Sequence, residues 1–288
     1  MFERQRTGSV VCPSCGRLVG VNDAKCYNCG RPRPGMWGFA PLLRRFGQDL
    51  GFVELMIGGC GLLYLAMLGV DFQGIRVAGG GFSFLSPSGP AVFLFGASGA
   101  VPVFHYGRWW TVLSAGWLHG GLLHIFFNVL WLRQLAPAVA EGYGPARMVI
   151  VYTASAVAGF GLSTLGPVFL YPLAGVLGGP GMTVGASAPI FGLLGALVWY
   201  GRRVSGAVGR QAWIYAAMLL VFGFLWPNVD NWAHLGGFAG GLGTAALLNP
   251  MKPERPDHGL IALVCLLLSL AAIVASVITG LPLVRAAG

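Results

Sequence analysis

Gly181-Met-Thr-Val-Gly-Ala-Ser187-Ala-Pro-Ile-Phe-Gly192 is a small-residue segment that opens an apolar helix and carries Ser187 in its first turn. Downstream, Asn231-Trp-Ala-His234-Leu-Gly-Gly-Phe-Ala-Gly-Gly241 opens a second glycine-rich apolar run, with a histidine just inside it. Whether the serine and the histidine can meet depends on how often the chain crosses a membrane between them. The count of apolar spans therefore decides fold and chemistry together.

Of 288 residues, 56% are hydrophobic and 9% charged, and the mean hydropathy is +0.72. A soluble domain carries about 25% charged residues, so the chain reads as an all-α polytopic membrane protein. Its 47 glycines suggest helices packed backbone to backbone. The net charge of +9 does not point to nucleic acid, because the arginines lie between apolar stretches instead of on one aromatic-rich surface. Residues 1–40 lack an apolar core followed by a small-residue cleavage site, so membrane targeting is expected from a later helix.

Apolar runs near residues 50–70, 110–135, 147–165, 183–200, 213–226, 232–248 and 260–278 predict seven spans. Residues 71–108, rich in glycine, proline and phenylalanine, are too broken to span and read as a long loop partly embedded at the interface. The expected organisation is a small unit with its linker over 1–40, a membrane core over 41–250, and a hinge with an additional transmembrane helix over 251–288. With the amino terminus in the cytoplasm, fifteen Lys and Arg residues lie on that side and only Arg76, Arg108 and Arg285 lie outside. That asymmetry predicts a multi-pass cell-membrane protein in this orientation. His119, His124, Asn128, Ser187 and His234 then share the extracytoplasmic half of the bilayer.

A histidine of near-neutral pKa accepts a hydroxyl proton and passes it to a leaving amine, so Ser187 and His234 form a candidate nucleophile and base. Read alone, Ser187 is more simply a hydroxyl bonded one turn back along its helix. His234 is harder to dismiss, since an ionisable group at membrane depth faces a bundle interior or a wet cavity. Asp230 lies one turn earlier and is expected near the surface, which predicts a dyad, not a triad. His124 and Asn128, four residues apart on one helix face, offer neutral donors to an oxyanion beside the backbone amides at the start of the Ser187 helix. A polar helix-helix contact is the structural alternative. The Gly236-x3-Gly240 and Gly237-x3-Gly241 spacings, with Gly185, Gly192 and Gly195 on the serine helix, permit the close approach that a hydrogen bond of roughly 3 Å requires.

At the other end of the chain, Cys12-Pro-Ser-Cys15 and Cys26-Tyr-Asn-Cys29 are two C-x2-C pairs, each followed by a glycine. Two such turns complete a thiolate tetrahedron, which predicts a structural zinc site of zinc-ribbon type on Cys12, Cys15, Cys26 and Cys29. Two disulfides or bound iron are the alternatives, the first disfavoured in a reducing cytoplasm. With four ligand positions filled, no catalytic water is expected there.

Gly185-Ala-Ser187, Ala233-His-Leu-Gly-Gly237, the His119, His124 and Asn128 set, and Trp109-Trp110 together resemble the rhomboid intramembrane serine proteases over residues 50–250. The resemblance implies a six-helix rhomboid-like core, here with a seventh C-terminal helix. It also implies cofactor-free cleavage of transmembrane segments of other proteins, with Ser187 as nucleophile, His234 as base, and His124 and Asn128 at the oxyanion. Transmembrane protein substrates and membrane lipids are the implied partners, and the cysteine unit is open to a cytosolic one. Two departures stand out. Ala188 replaces the glycine that often follows the nucleophile, adding a methyl near the oxyanion site. Thr111 stands where an arginine usually follows the loop tryptophan, while Arg108 precedes the pair. A non-proteolytic rhomboid-like protein that binds client helices is the runner-up, and a transporter a weaker alternative, since no inverted repeat is visible.

Overall fold

The computed structural model describes residues 4–13, 15–44, 49, 51–77, 84–169, 181–226 and 229–287. The chain begins with a two-stranded antiparallel sheet in which β1 (Ser9–Val11) pairs with β2 (Leu18–Gly20), Val10 opposite Val19. Val10, Val19, Val21 and Ala40 pack around Cys12 and Cys26. This is too small a core to fold on apolar burial alone. Ten helices follow among the described residues: α1 (Ala40–Arg44), α2 (Phe52–Val70), α3 (Gly89–Phe95), α4 (Thr111–Ser114), α5 (Leu122–Tyr143), α6 (Pro145–Phe169), α7 (Ser187–Arg203), α8 (Gly206–Leu225), α9 (Asn231–Leu247) and α10 (Pro256–Ala287).

Five of these, α2, α5, α6, α8 and Asp257–Ala286 of α10, are long and apolar enough to cross a membrane. The protein is therefore an all-α, multi-pass membrane protein. Leu55, Leu62 and Leu65 of α2, and Leu263, Leu267 and Leu270 of α10, are exposed apolar side chains of the kind a lipid solvent accepts. The remaining long helices, α7 and α9, have 17 residues each, about 25 Å of rise, and lie inside the bundle. Ala188 to Val198 of α7 are all buried, which makes this helix the hub against which α5, α6, α8 and α9 pack.

Glycine sets the α7–α9 spacing. A Cβ built on Gly237 would overlap the carbonyl of Ala188, and one on Gly241 would overlap the carbonyl of Gly192. The backbones touch with nothing between them, which gives dispersion contact without ordering any side chain.

The stretch expected to be one span over 110–135 is divided. α4 runs into a 3-10 turn at Ala115–Trp117, Leu118 is extended, and α5 starts only at Leu122 and continues to Tyr143. The break falls at Gly120 and Gly121, the second being fully extended at φ 173° and ψ 166°. His119 consequently precedes α5 instead of riding on it. α10 is longer than the 260–278 expected. It begins at Pro256, where the missing N–H removes only a donor that would be unpaired anyway. Within the 71–108 loop, α3 is capped by Ser88, which accepts from the Ala91 amide at 3.3 Å, and a π-type turn spans Val101–His105. Residues 78–83 of that loop lie outside the described residues, as do Arg45 and Pro227.

At the end of α9 remote from His234, Glu254 joins three parts of the chain. Its Oε2 lies 3.2 Å from Arg31 Nη1, two residues beyond Cys29, and its Oε1 accepts the Arg147 amide of α6 at 3.0 Å. The Arg147 guanidinium donates to the carbonyls of Leu248 and Asn249, at 2.9 and 3.1 Å, just past α9. The cysteine unit thus rests on the ends of α6 and α9.

Candidate functional site

Ser187 is the first residue of α7 and His234 lies in the first turn of α9, and the close α7–α9 packing brings their side chains to one place. Ser187 Oγ is 3.0 Å from His234 Nε2. With Nε2 as acceptor, the hydroxyl donates to it, the alignment a serine needs before its proton is removed. The imidazole lies almost parallel to the ring of Phe191, with centroids 4.3 Å apart and planes at 17°. Phe191 is one helical turn after Ser187, so the residue that supports the base sits on the same face of α7 as the nucleophile. That spacing is readable in the sequence, although no part of the motif reading used it.

His234 Nδ1 has no hydrogen-bond partner among the described residues. Asp230, expected near the surface, is buried instead. It caps α9, accepting the Ala233 amide at Oδ1 (3.0 Å) and the Ser163 hydroxyl at Oδ2. The reason is topological: α6 runs past the start of α9 and supplies the hydroxyl that makes a buried carboxylate tolerable.

His124 approaches the serine from α5. A Cβ on Gly185 would lie 2.7 Å from His124 Nε2, and Gly185 has φ +134°, so both backbone conformation and space demand glycine. The Gly120 amide donates to His124 Nδ1 at 3.4 Å. In the neutral ring this leaves the proton on Nε2, the nitrogen facing Gly185 and the nucleophile. Asn128, one turn further along α5, donates one amide hydrogen to the His124 carbonyl at 2.8 Å. His119 is buried and meets His124 edge-on, with centroids 5.2 Å apart. Its role is to pack the wall behind His124.

The segment leading into Ser187 is tied down on both sides. Ser98 and Thr183 exchange backbone hydrogen bonds of 3.0 and 2.7 Å, and the Gly185 amide donates to Ala115 at 3.0 Å. The methyl of Ala188 does not face this region. It is buried with Ala115, Ala156, Phe160 and Ala233, opposite Gly159, so the departure from glycine fills the α6–α9 junction and leaves the Ser187 hydroxyl unobstructed.

Arg108 is fully buried. Its guanidinium donates to the carbonyls of Phe93 (2.8 Å) and Ser276 (2.7 Å) and lies over the Phe93 ring at 4.2 Å, while Trp110 Nε1 donates to Ser276 Oγ at 3.2 Å. An arginine before the tryptophan pair therefore pins the 71–108 loop to α10.

In the cysteine unit, the four Sγ atoms lie within 4.8 Å of one another, with Cys12 to Cys29 at 3.8 Å and Cys15 to Cys26 at 3.6 Å. A tetrahedral Zn–S bond of about 2.3 Å gives an S···S edge of about 3.8 Å, so the set fits zinc, whereas a disulfide needs sulfurs about 2.05 Å apart. The two turns repeat each other. The Gly16 amide donates to the Cys12 carbonyl and Gly30 to Cys26, and the Cys12 and Cys26 amides donate to Arg17 and Arg31. Both glycines have φ near +70°, at +73° and +72°, which an L side chain rarely adopts.

A family model described as the Rhomboid domain matches residues 106–251. The rhomboid protease GluP of Bacillus subtilis is 32% identical over 165 residues, covering 56% of this chain and 30% of that protein. RHOMBOID-like protein 4 of Arabidopsis thaliana is 33% identical over 183 residues, covering 61% of this chain and 42% of its own. YdcA of B. subtilis is 31% identical over 153 residues, 52% of this chain and 71% of the relative. The chain thus spans less than half the length of the first two relatives.

Proposed function

This chain belongs to the rhomboid family, and from that premise we propose that it is an intramembrane serine endopeptidase acting in or near transmembrane segments of other membrane proteins. The observation that carries the reading is the 3.0 Å contact of Ser187 Oγ with His234 Nε2, braced by Phe191. Ser187 Oγ attacks the scissile carbonyl carbon as His234 Nε2 takes its proton. The resulting oxyanion is held by backbone amides at the start of α7, by His124 Nε2–H and by the second amide hydrogen of Asn128. His234 then returns the proton to the leaving amine, and water, deprotonated by the same ring, hydrolyses the acyl-enzyme.

In this reading α7 and α9 complete a six-helix core, with α10 as a seventh helix. The amino terminus and cysteine unit are cytoplasmic and Ser187 lies toward the extracytoplasmic face, an orientation supported by the excess of Lys and Arg on one side. α8, with Trp213, Met218, Val221 and Leu225 exposed, offers the lipid-facing side where a substrate helix would approach. Zinc on Cys12, Cys15, Cys26 and Cys29 would stabilise a ribbon-like fold and take no part in hydrolysis. The test is expression of the wild type and Ser187→Ala in membranes, followed by detection of released substrate fragments and reaction with a serine-directed phosphonate. The expected result is loss of both signals in Ser187→Ala at equal abundance. Cleavage persisting in the variant would remove the serine mechanism. A folded wild type that neither cleaves nor labels would favour the non-proteolytic, client-binding alternative.

A further inference from the structure

We propose that Asp230 is a positioning residue for the serine-histidine pair, its carboxylate bridging the start of the His234 helix to α6, the helix that also packs on the start of the Ser187 helix. The inference rests on the protease reading above. It starts from a deficit: His234 Nδ1 has no hydrogen-bond partner among the described residues, so no acceptor fixes the ring from its far side. The ring's place then depends on Phe191 beneath it and on where the first turn of α9 puts its Cα. Asp230 controls that turn. Its carbonyl accepts the His234 amide at 3.2 Å and its Oδ1 accepts the Ala233 amide at 3.0 Å.

A helix cap would need no more than this, and serine or asparagine would serve as well. Asp230 does more. It is only 6% exposed, and its Oδ2 also accepts the Ser163 hydroxyl of α6. One carboxylate therefore ties the turn that carries the base to α6, whose Gly159, Ala156 and Phe160 pack against Ala188, the residue after the nucleophile. Burying a carboxylate is costly without several donors, and the hydroxyl donor comes from a neighbouring helix, not from its own.

Capping and bridging separate by side-chain reach. Asp230→Ser keeps an oxygen for the Ala233 amide but is too short to reach Ser163. Asp230→Asn keeps the cap and, through its NH2, can donate to the Ser163 hydroxyl. In detergent-solubilised full-length protein with a transmembrane substrate, Asp230→Ser should lower kcat on the order of 10- to 100-fold with KM changed less than about twofold, as expected for a displaced catalytic pair. Asp230→Asn should stay within about threefold of wild type. Amide exchange in α6 around Ser163 should quicken in Asp230→Ser and not in Asp230→Asn, which a cap confined to α9 would not produce. Should Asp230→Ser fail to fold, Ser163→Ala takes its place, with a smaller loss of kcat and the same quickened exchange.

Wild-type kcat in Asp230→Ser would overturn the bridge. So would equal impairment of Asp230→Asn, a loss carried by KM, or unchanged exchange in α6 around Ser163. If the wild type itself does not cleave, the protease reading fails, and the exchange comparison still decides the bridge.

Discussion

At its first turn α9 holds His234 against Ser187 through neutral hydrogen bonds and aromatic stacking, with Gly237 pressed on the Ala188 backbone. Just beyond its last turn, the carbonyls of Leu248 and Asn249 are held by the Arg147 guanidinium, and Glu254 connects the start of α6 to Arg31 of the cysteine unit. One helix is thus fixed mainly by shape at one end, where a single carboxylate, Asp230, caps it, and by an ion pair at the other. Shape suits the catalytic end, because close backbone packing and a ring stacked on Phe191 hold His234 at one angle to Ser187. Charge suits the other end, because guanidinium and carboxylate groups reach across gaps between segments far apart in sequence.

The difference is open to breakage from either side. The largest effect is expected at the shape-held end. Gly241→Val places side-chain atoms where the Gly192 carbonyl lies, and a shift of α9 by about 1 Å should lower cleavage at least 100-fold, measured as turnover per folded molecule. At the charge-held end, Glu254→Ala leaves Arg31 without its carboxylate and the Arg147 amide without its acceptor. It should destabilise the protein by about 3 kcal/mol, read by thermal unfolding in detergent, with turnover of the folded fraction nearly intact. Should turnover fall as far as in Gly241→Val, the two ends are not independent. Smallest of all, Ser276→Ala removes the Trp110 contact but keeps the carbonyl that Arg108 uses. About 1 kcal/mol is expected, visible as a modest fall in the unfolding midpoint.

Much of the site was legible because its chemistry is local. Two C-x2-C-Gly turns need only five residues each to define a thiolate pair, and Gly185-Ala-Ser187 and Ala233-His234 sit at helix starts that hydropathy locates. What stayed hidden was non-local or depended on backbone detail. The break before α5 needed Gly121 to extend, which its neighbours in an apolar run do not signal. The place of Asp230 at a span edge predicts exposure, and only the passage of α6 beside it makes it buried. Arg108 and Ser276 are 168 residues apart and Arg31 and Glu254 are 223 apart. No pattern along the chain predicts such pairs. The place of Ala188 in the motif predicts a neighbour of the oxyanion, but the first turn of α7 points its methyl toward Gly159 instead.

The contact between Arg108 and Ser276 also sets an order of events during synthesis. At about 5–20 residues per second, the acceptor for the buried guanidinium is made roughly ten to thirty seconds after the loop that carries it. Ser187 and His234 are both synthesised before then, while the 71–108 loop still lacks its anchor on α10. α10 therefore closes the structure around chemistry that earlier helices have already supplied.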